Sequence, residues 1–152
     1  LTIVITGYQW RWHYKYQDED LEFYSSLAAP SLEARRKDSG VDPNTVDNYL
    51  LEVDRPVVVP VGAKVRLLVT SNDVIHSWWV PELAIKKDAN PGMVNEAWFR
   101  ATETGTFRGQ CTELCGRGHG YMPVVVEVVE PDVYRAWVDT NADGGPKVAS
   151  TQ

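Results

Sequence analysis

Nowhere does the sequence carry an uninterrupted apolar run of the ~18 residues that a membrane-crossing helix needs, so it is expected to hold no transmembrane helix of its own. Nor is there an excess of basic residues: 15 Lys and Arg against 21 Asp and Glu leave a formal charge of −6 over 152 residues. That balance argues against a nucleic-acid partner and suits a basic one. An initiating Met and a signal-peptide pattern are both missing, and the chain opens with LTIVITG, which already reads as strand. The expectation is a fragment or a processed product. Helical periodicity is scarce and no internal repeat is present. The two cysteines say little about compartment; their spacing says more.

What is there reads as one globular domain, with 43% hydrophobic and 24% charged residues. In GYQWRWHYKY (7–16) an aromatic occupies every second position: Tyr8, Trp10, Trp12, Tyr14 and Tyr16. That is the period of a half-buried strand. The aromatic face suits a hydrophobic core, a stacking platform or an electron conduit. Further strand signals fall at 49–53, 56–60, 64–71, 76–83, 93–101, 105–110 and 122–129, separated by turn residues. Many short strands with frequent turns predict an all-β sandwich or Greek-key barrel. PDVYRAWVDT (131–140) predicts a short C-terminal helix through Val133, Trp137 and Val138. The expected organisation is one domain over 1–140, a surface loop at 25–48 with one helical turn around Ser31–Arg36, and a flexible tail at 141–152.

The chemistry concentrates in GQCTELCGRGHGYMP (109–123), which holds Cys111, Cys115, His119 and Met122, with His76 lying 35 residues before Cys111. Two cysteines in an exported domain read first as a disulfide, and a lone Met or His reads first as packing. Taken together, however, thiolate, imidazole and thioether are the soft and borderline donors that copper prefers. Zinc has little use for Met, and the Cys-x-x-Cys-His of covalent haem is absent. A mononuclear site uses one Cys, two His and a weak Met. A second Cys in the same loop lets two thiolates bridge two coppers, with one His for each, and Glu113 is placed to offer a backbone carbonyl.

These stretches, with LLEVDRPVVVPVG, TSNDVIHSWWVPEL and KKDANPGMVNEAWF, resemble the CuA domain of cytochrome c oxidase subunit II. The likeness covers most of the chain outside 25–48 and the tail. It implies a cupredoxin-like Greek-key β-barrel. It implies two copper ions bridged by Cys111 and Cys115, one completed by His76 and Met122, the other by His119 and the Glu113 carbonyl. The Glu113 carboxylate is expected to reach a magnesium ion at the boundary with the catalytic subunit I. Trp10 falls where the family takes electrons from cytochrome c, with Asp20 and Asp73 expected in the acidic docking surface. The implied setting is a membrane-anchored oxidase, with this domain facing the periplasm or the mitochondrial intermembrane space. Ala84 stands where the family usually has Gly, and Met93 where many members carry Arg. A nitrous-oxide reductase domain, with a similar dinuclear site, is the alternative that Glu113 argues against, since Trp is usual between those cysteines; a mononuclear cupredoxin and a disulfide-stapled binding domain are the alternatives that copper stoichiometry separates.

Overall fold

The computed structural model describes residues 1–142. Ten strands form two five-stranded sheets packed face to face. In chain order they are β1 (Thr2–Tyr8), β2 (Arg11–Tyr16), β3 (Leu21–Ser25), β4 (Val57–Pro60), β5 (Val65–Ser71), β6 (His76–Val80), β7 (Ile85–Ala89), β8 (Asn95–Phe99), β9 (Gly105–Cys111) and β10 (Pro123–Val129). One sheet runs β3-β2-β1-β5-β8 and the other β4-β10-β9-β6-β7. Pairing is antiparallel except for β1 with β5 and β10 with β4. This is the all-β sandwich that the turn spacing and the cupredoxin-like resemblance imply.

Alternation decides which side chains fill the core. Ile3 and Ile5 of β1, Trp12, Tyr14 and Tyr16 of β2, and Leu67 and Val69 of β5 all point inward and are buried. They meet Trp78 and Val80 of β6 and the valines of β10. The buried phenols of Tyr14 and Tyr16 and the indole of Trp78 find partners within this core. The Tyr16 hydroxyl donates to the Val58 carbonyl at 2.8 Å and accepts the Val58 N–H at 3.0 Å. Trp78 Nε1–H donates to the Tyr14 hydroxyl at 3.1 Å.

The aromatic segment is not one continuous strand. A turn at Gln9 and Trp10 folds β1 back on β2, with Tyr8 opposite Arg11. Tyr8 therefore stands on the outer face, edge-on to Tyr24 at 5.6 Å, while Trp12, Tyr14 and Tyr16 enter the core.

Two other expectations change. Residues 49–53 are not a strand: Asn48 and Leu50 take positive φ, and only Val53 bridges, to Leu27. β7 was unmarked by hydrophobic pattern and forms instead by pairing with β6. Between 25 and 48, helix α1 spans Ala29–Ala34 and buries Ser31 and Ala34.

The C-terminal helix α2 spans Pro131–Asn141, with Pro at its start and Asp132 in its first turn. Its buried residues are Tyr134 and Val138; Val133 is exposed. Trp137 packs against Tyr16 and Phe23. The tail expected at 141–152 lies outside the described residues from 143 onward.

Candidate metal centre

Three segments build the site. Cys111 ends β9, and the loop from Thr112 to Met122 leads into β10, carrying Cys115 and a 3-10 turn over His119–Tyr121. His76 begins β6, beside β9, where Trp78 pairs with Cys111. The turn between β1 and β2 closes over the loop from the other side. Gln9 Nε2 and Trp10 Nε1 both donate to the Cys115 carbonyl, at 2.8 and 3.2 Å. Trp12 Nε1 donates to the Met122 carbonyl at 3.3 Å. Three side chains of the opening hairpin, Gln9, Trp10 and Trp12, thus hold the loop's backbone.

Inside this frame the soft donors converge. Both cysteines are free thiols, and their sulfurs lie 3.8 Å apart. The Cys111 sulfur is 3.9 Å from His76 Nδ1 and 3.4 Å from the Glu113 carbonyl oxygen. The Cys115 sulfur is 3.6 Å from both His119 Nδ1 and Met122 Sδ. His76, Cys111 and Cys115 have ligand atoms within 4.8 Å of one another, and all three are buried. The structure therefore brings together all six donor groups named from the sequence: His76, Cys111, the Glu113 carbonyl, Cys115, His119 and Met122. Two thiols, two imidazoles and a thioether form a set that fits copper, because hard oxygen-seeking cations gain little from sulfur.

The electrostatics prepare one thiol and restrain the other. Burial pushes the Cys111 thiol up, yet hydrogen bonds from His76, Ser77, Glu113 and His119 outweigh it and hold the group below its ordinary value. Burial raises the Cys115 thiol, and the neighbouring Cys111 charge raises it further. Burial opposes protonation of His76, but its bonds to Cys111 and Asp73 prevail and raise its value.

Two glycines make the close packing possible. A Cβ on Gly7 would stand 2.6 Å from His76 Cδ2, and one on Gly118 would collide with the Trp10 ring. Only glycine leaves room for the imidazole on one side and the indole on the other.

The remaining sequence candidates part company. Trp10 is half-buried over the ligand loop. Asp73 lies beside the site, its Oδ1 2.8 Å from His76 Nε2 and its Oδ2 accepting the Gln9 N–H at 2.8 Å. Asp20 belongs to the turn at the other end of β2. Six residues at about 3.3 Å each place that turn roughly 20 Å from Trp10. The Glu113 side chain is exposed on the loop. Sequence reasoning missed the hydrogen bond of Gln9 to the Cys115 carbonyl and the spacing role of Gly7. Gln9 beside Trp10 in a turn was the available signal for the first; for Gly7 none was.

With this geometry in view, comparison with known proteins is informative. Residues 1–129 match the family model described as cytochrome C oxidase subunit II, periplasmic domain. Cytochrome c oxidase subunit 2 of Cereibacter sphaeroides is 40% identical over 161 residues, covering 99% of this chain and 52% of that protein. A probable cytochrome c oxidase subunit 2 of Rickettsia conorii is 46% identical over 139 residues, covering 91% of this chain and 41% of that protein. The chain thus spans about half the length of the curated relatives it matches. A crystal structure of the periplasmic domain of subunit II of cytochrome oxidase (CoxB) from Bradyrhizobium japonicum superposes with a TM-score of 0.79. Identity is 42%, over 93% of this chain and 92% of that one. A second structure holds subunit II in a mixed disulfide intermediate with a thioredoxin-like protein. Its TM-score is 0.73 and its identity 41%, over 93% of this chain and 90% of that one.

Proposed function

This chain belongs to the cytochrome c oxidase subunit II family, as its periplasmic domain, and on that premise we propose that it is the electron-transfer domain of such an oxidase. It takes single electrons from cytochrome c and passes them to haem in the catalytic subunit I. The observation that carries this reading is the pair of free thiols 3.8 Å apart, each flanked by its own imidazole nitrogen.

Cys111 and Cys115 would hold two coppers between them, with His76, His119, Met122 and the Glu113 carbonyl completing the set. When bound, the copper pair supplies a one-electron store whose charge is shared between the metals. The protein's contribution is rigidity. The thiols, imidazoles and thioether are buried or partly buried, His76 and Cys111 at strand ends and the others on the loop between β9 and β10, which is tied by Gln9, Trp10 and Trp12. A donor set fixed before the electron arrives needs little rearrangement when it does.

Trp10 is the proposed entry point. Its ring is partly exposed, and its Nε1–H rests on the carbonyl of Cys115, linking the outer surface to a thiol ligand by one hydrogen bond. The net charge of −6 steers a basic cytochrome c, and Asp20 contributes to that steering at long range rather than at the Trp10 contact. Glu113 presents its carboxylate outward, where a magnesium ion at the subunit I boundary would meet it. The domain would face the periplasm, or the intermembrane space in a mitochondrial oxidase, anchored by helices outside this chain. No described helix is long and apolar enough to cross a membrane. Oxygen reduction and proton translocation belong to the whole oxidase. The mixed disulfide of a relative with a thioredoxin-like protein suggests how the two thiols are kept reduced before metal enters.

Reconstitution with copper under reducing conditions tests the centre. Two coppers per chain with one electron spin shared between them is the expected result; one copper, or none, sinks it. Trp10→Phe should slow electron entry and leave the copper spectrum intact.

A further inference from the structure

Beside Trp10 the surface opens into a groove of about 470 Å³ lined by Trp10, Ser26, Leu27, Leu32, Arg35, Arg117, Gly118 and Tyr121. One wall comes from Ser26, Leu27 and the α1 segment and the other from Trp10 and the metal loop. Two guanidinium groups face into it. Arg117 lies over the Trp10 ring at 5.7 Å, and Arg35 over the Tyr121 ring at 4.4 Å. Stacking of this kind fixes a guanidinium plane while leaving its N–H edges open to an acceptor.

Those edges are unclaimed. Among the described residues no carboxylate lies within ion-pair distance of Arg35 or Arg117. The next residue, Arg36, by contrast, pairs with Glu33 and Asp38. In a chain carrying six net negative charges, two free guanidiniums in one groove form a local reversal of sign. The acids expected around Trp10 do not balance it. Asp73 is turned to His76 and Gln9, and Asp20 lies at the far end of β2.

We propose that this groove seats a carboxylate-bearing segment of the protein that docks over Trp10, an Asp or Glu side chain pairing with Arg35 and Arg117. The inference rests on Trp10 being the face where the donor docks. It makes the contact two-signed: the acidic body of the domain attracts a basic partner from a distance, while the rim of Trp10 demands an acidic side chain at the point of contact. Guanidinium groups match carboxylates in planar, two-point geometry, so the pair would set the donor's orientation over the indole. A basic protein lacking that carboxylate would be drawn in but not seated.

The test uses the isotope-labelled chain itself with a defined probe, the capped peptide Gly-Asp-Glu-Asp-Gly, and its neutral counterpart Gly-Asn-Gln-Asn-Gly. The expected result is saturable NMR shifts of the Trp10 indole N–H and the Arg35 and Arg117 side chains with the acidic peptide alone. The double variant R35A/R117A should weaken that binding by about tenfold or more, as loss of charge-assisted pairing demands. The Lys64→Ala control, at the opposite end of the β1–β5 pair, should change it less than about twofold. Shifts spread evenly over the other basic residues, no saturation, or equal weakening by Lys64→Ala would each overturn the proposal. The electron-entry reading is judged separately by Trp10→Phe kinetics. Peptide binding that survives while Trp10→Phe reacts at the normal rate would leave the groove a binding site and remove the entry assignment.

Discussion

Asp73 Oδ1 lies 2.8 Å from Nε2 of a fully buried His76, while Asp73 Oδ2 accepts the backbone N–H of Gln9 at 2.8 Å. One carboxylate therefore joins a candidate metal ligand to the turn that carries Trp10. The bond also selects a tautomer. With Nε2–H donating to Asp73, Nδ1 keeps its lone pair, and Nδ1 is the nitrogen that faces Cys111. Burial would raise the Asp73 carboxyl, but the bond to His76 and the N–H groups of Gln9 and Val74 outweigh it and hold the group below the usual carboxylate range.

Asp73 should accordingly behave as a positioning residue for the metal. Asp73→Ala is expected to lower copper affinity by about 10- to 100-fold, the usual cost of losing such a partner. Asp73→Asn, which still accepts a hydrogen bond, should lose less. Competition against a chelator of known affinity measures both. Unchanged affinity with an altered salt dependence of donor docking would return Asp73 to the simple surface role that its sequence position suggests.

The two close-approach glycines separate metal binding from electron entry. Gly7→Ala places a methyl group 2.6 Å from the His76 ring and should displace the imidazole. The expected outcome is loss of copper from the site, with circular dichroism showing the β fold retained and stability lowered by about 1–3 kcal/mol. Gly118→Ala presses on the Trp10 ring instead. Copper content should stay at the wild-type level while the rate of electron entry falls. Metal analysis and stopped-flow mixing decide between the two patterns.

The thiol pair predicts unequal chemistry in the reduced, metal-free chain. Burial acts against ionisation of both, yet the bonds around Cys111 outweigh it, whereas the Cys111 charge compounds it at Cys115. Iodoacetamide should therefore modify Cys111 first, and mass spectrometry of peptides quenched across a pH series should show Cys115 lagging at every pH. Replacing His76 by Ala removes the imidazole whose protonated form hydrogen-bonds the Cys111 thiolate, so the order should weaken or vanish in that variant.

The donor set was legible because five of its six members fall within 12 residues, from Cys111 to Met122, where composition alone exposes the chemistry. His76 followed from its place at a strand end. The hairpin break at Gln9 was hidden because polar–aromatic alternation runs straight through it, so Tyr8 looked continuous with Trp12 when it belongs to the opposite face. The apolar run at 49–53 imitated a strand. Its backbone is held differently: the Leu50 N–H donates to the Ser31 hydroxyl, a contact between segments that no local pattern encodes. β7 was invisible for the complementary reason, since IKKDA has almost no apolar period and owes its conformation to the β6 ladder. The link from Asp73 to Gln9 and the Arg35–Arg117 groove arise only where distant segments meet.

Tyr16 offers a test of the core rather than of the site. Its hydroxyl both donates to the Val58 carbonyl and accepts the Val58 N–H, deep between the sheets. Tyr16→Phe leaves both backbone groups buried and unpaired, and a loss of about 2–3 kcal/mol is expected at neutral pH. Burial first of all drives the phenol well above its ordinary value, more strongly than the Val58 bond lowers it. Tyr14 is raised by burial as well, and Tyr134 is pushed up to about 12. A phenol raised in the folded state ionises more easily once unfolded. Its contribution is whole below the unfolded value near 10 and is lost as pH rises through the folded value. The phenols' contribution to stability should therefore hold steady through neutral pH and fall once the pH passes about 10. Tyr16→Phe should start lower and fall less steeply, because one of the three phenols no longer has a proton to lose. Urea midpoints measured in steps from neutral to strongly alkaline pH test this directly. Parallel curves for wild type and variant would show that the alkaline loss arises elsewhere.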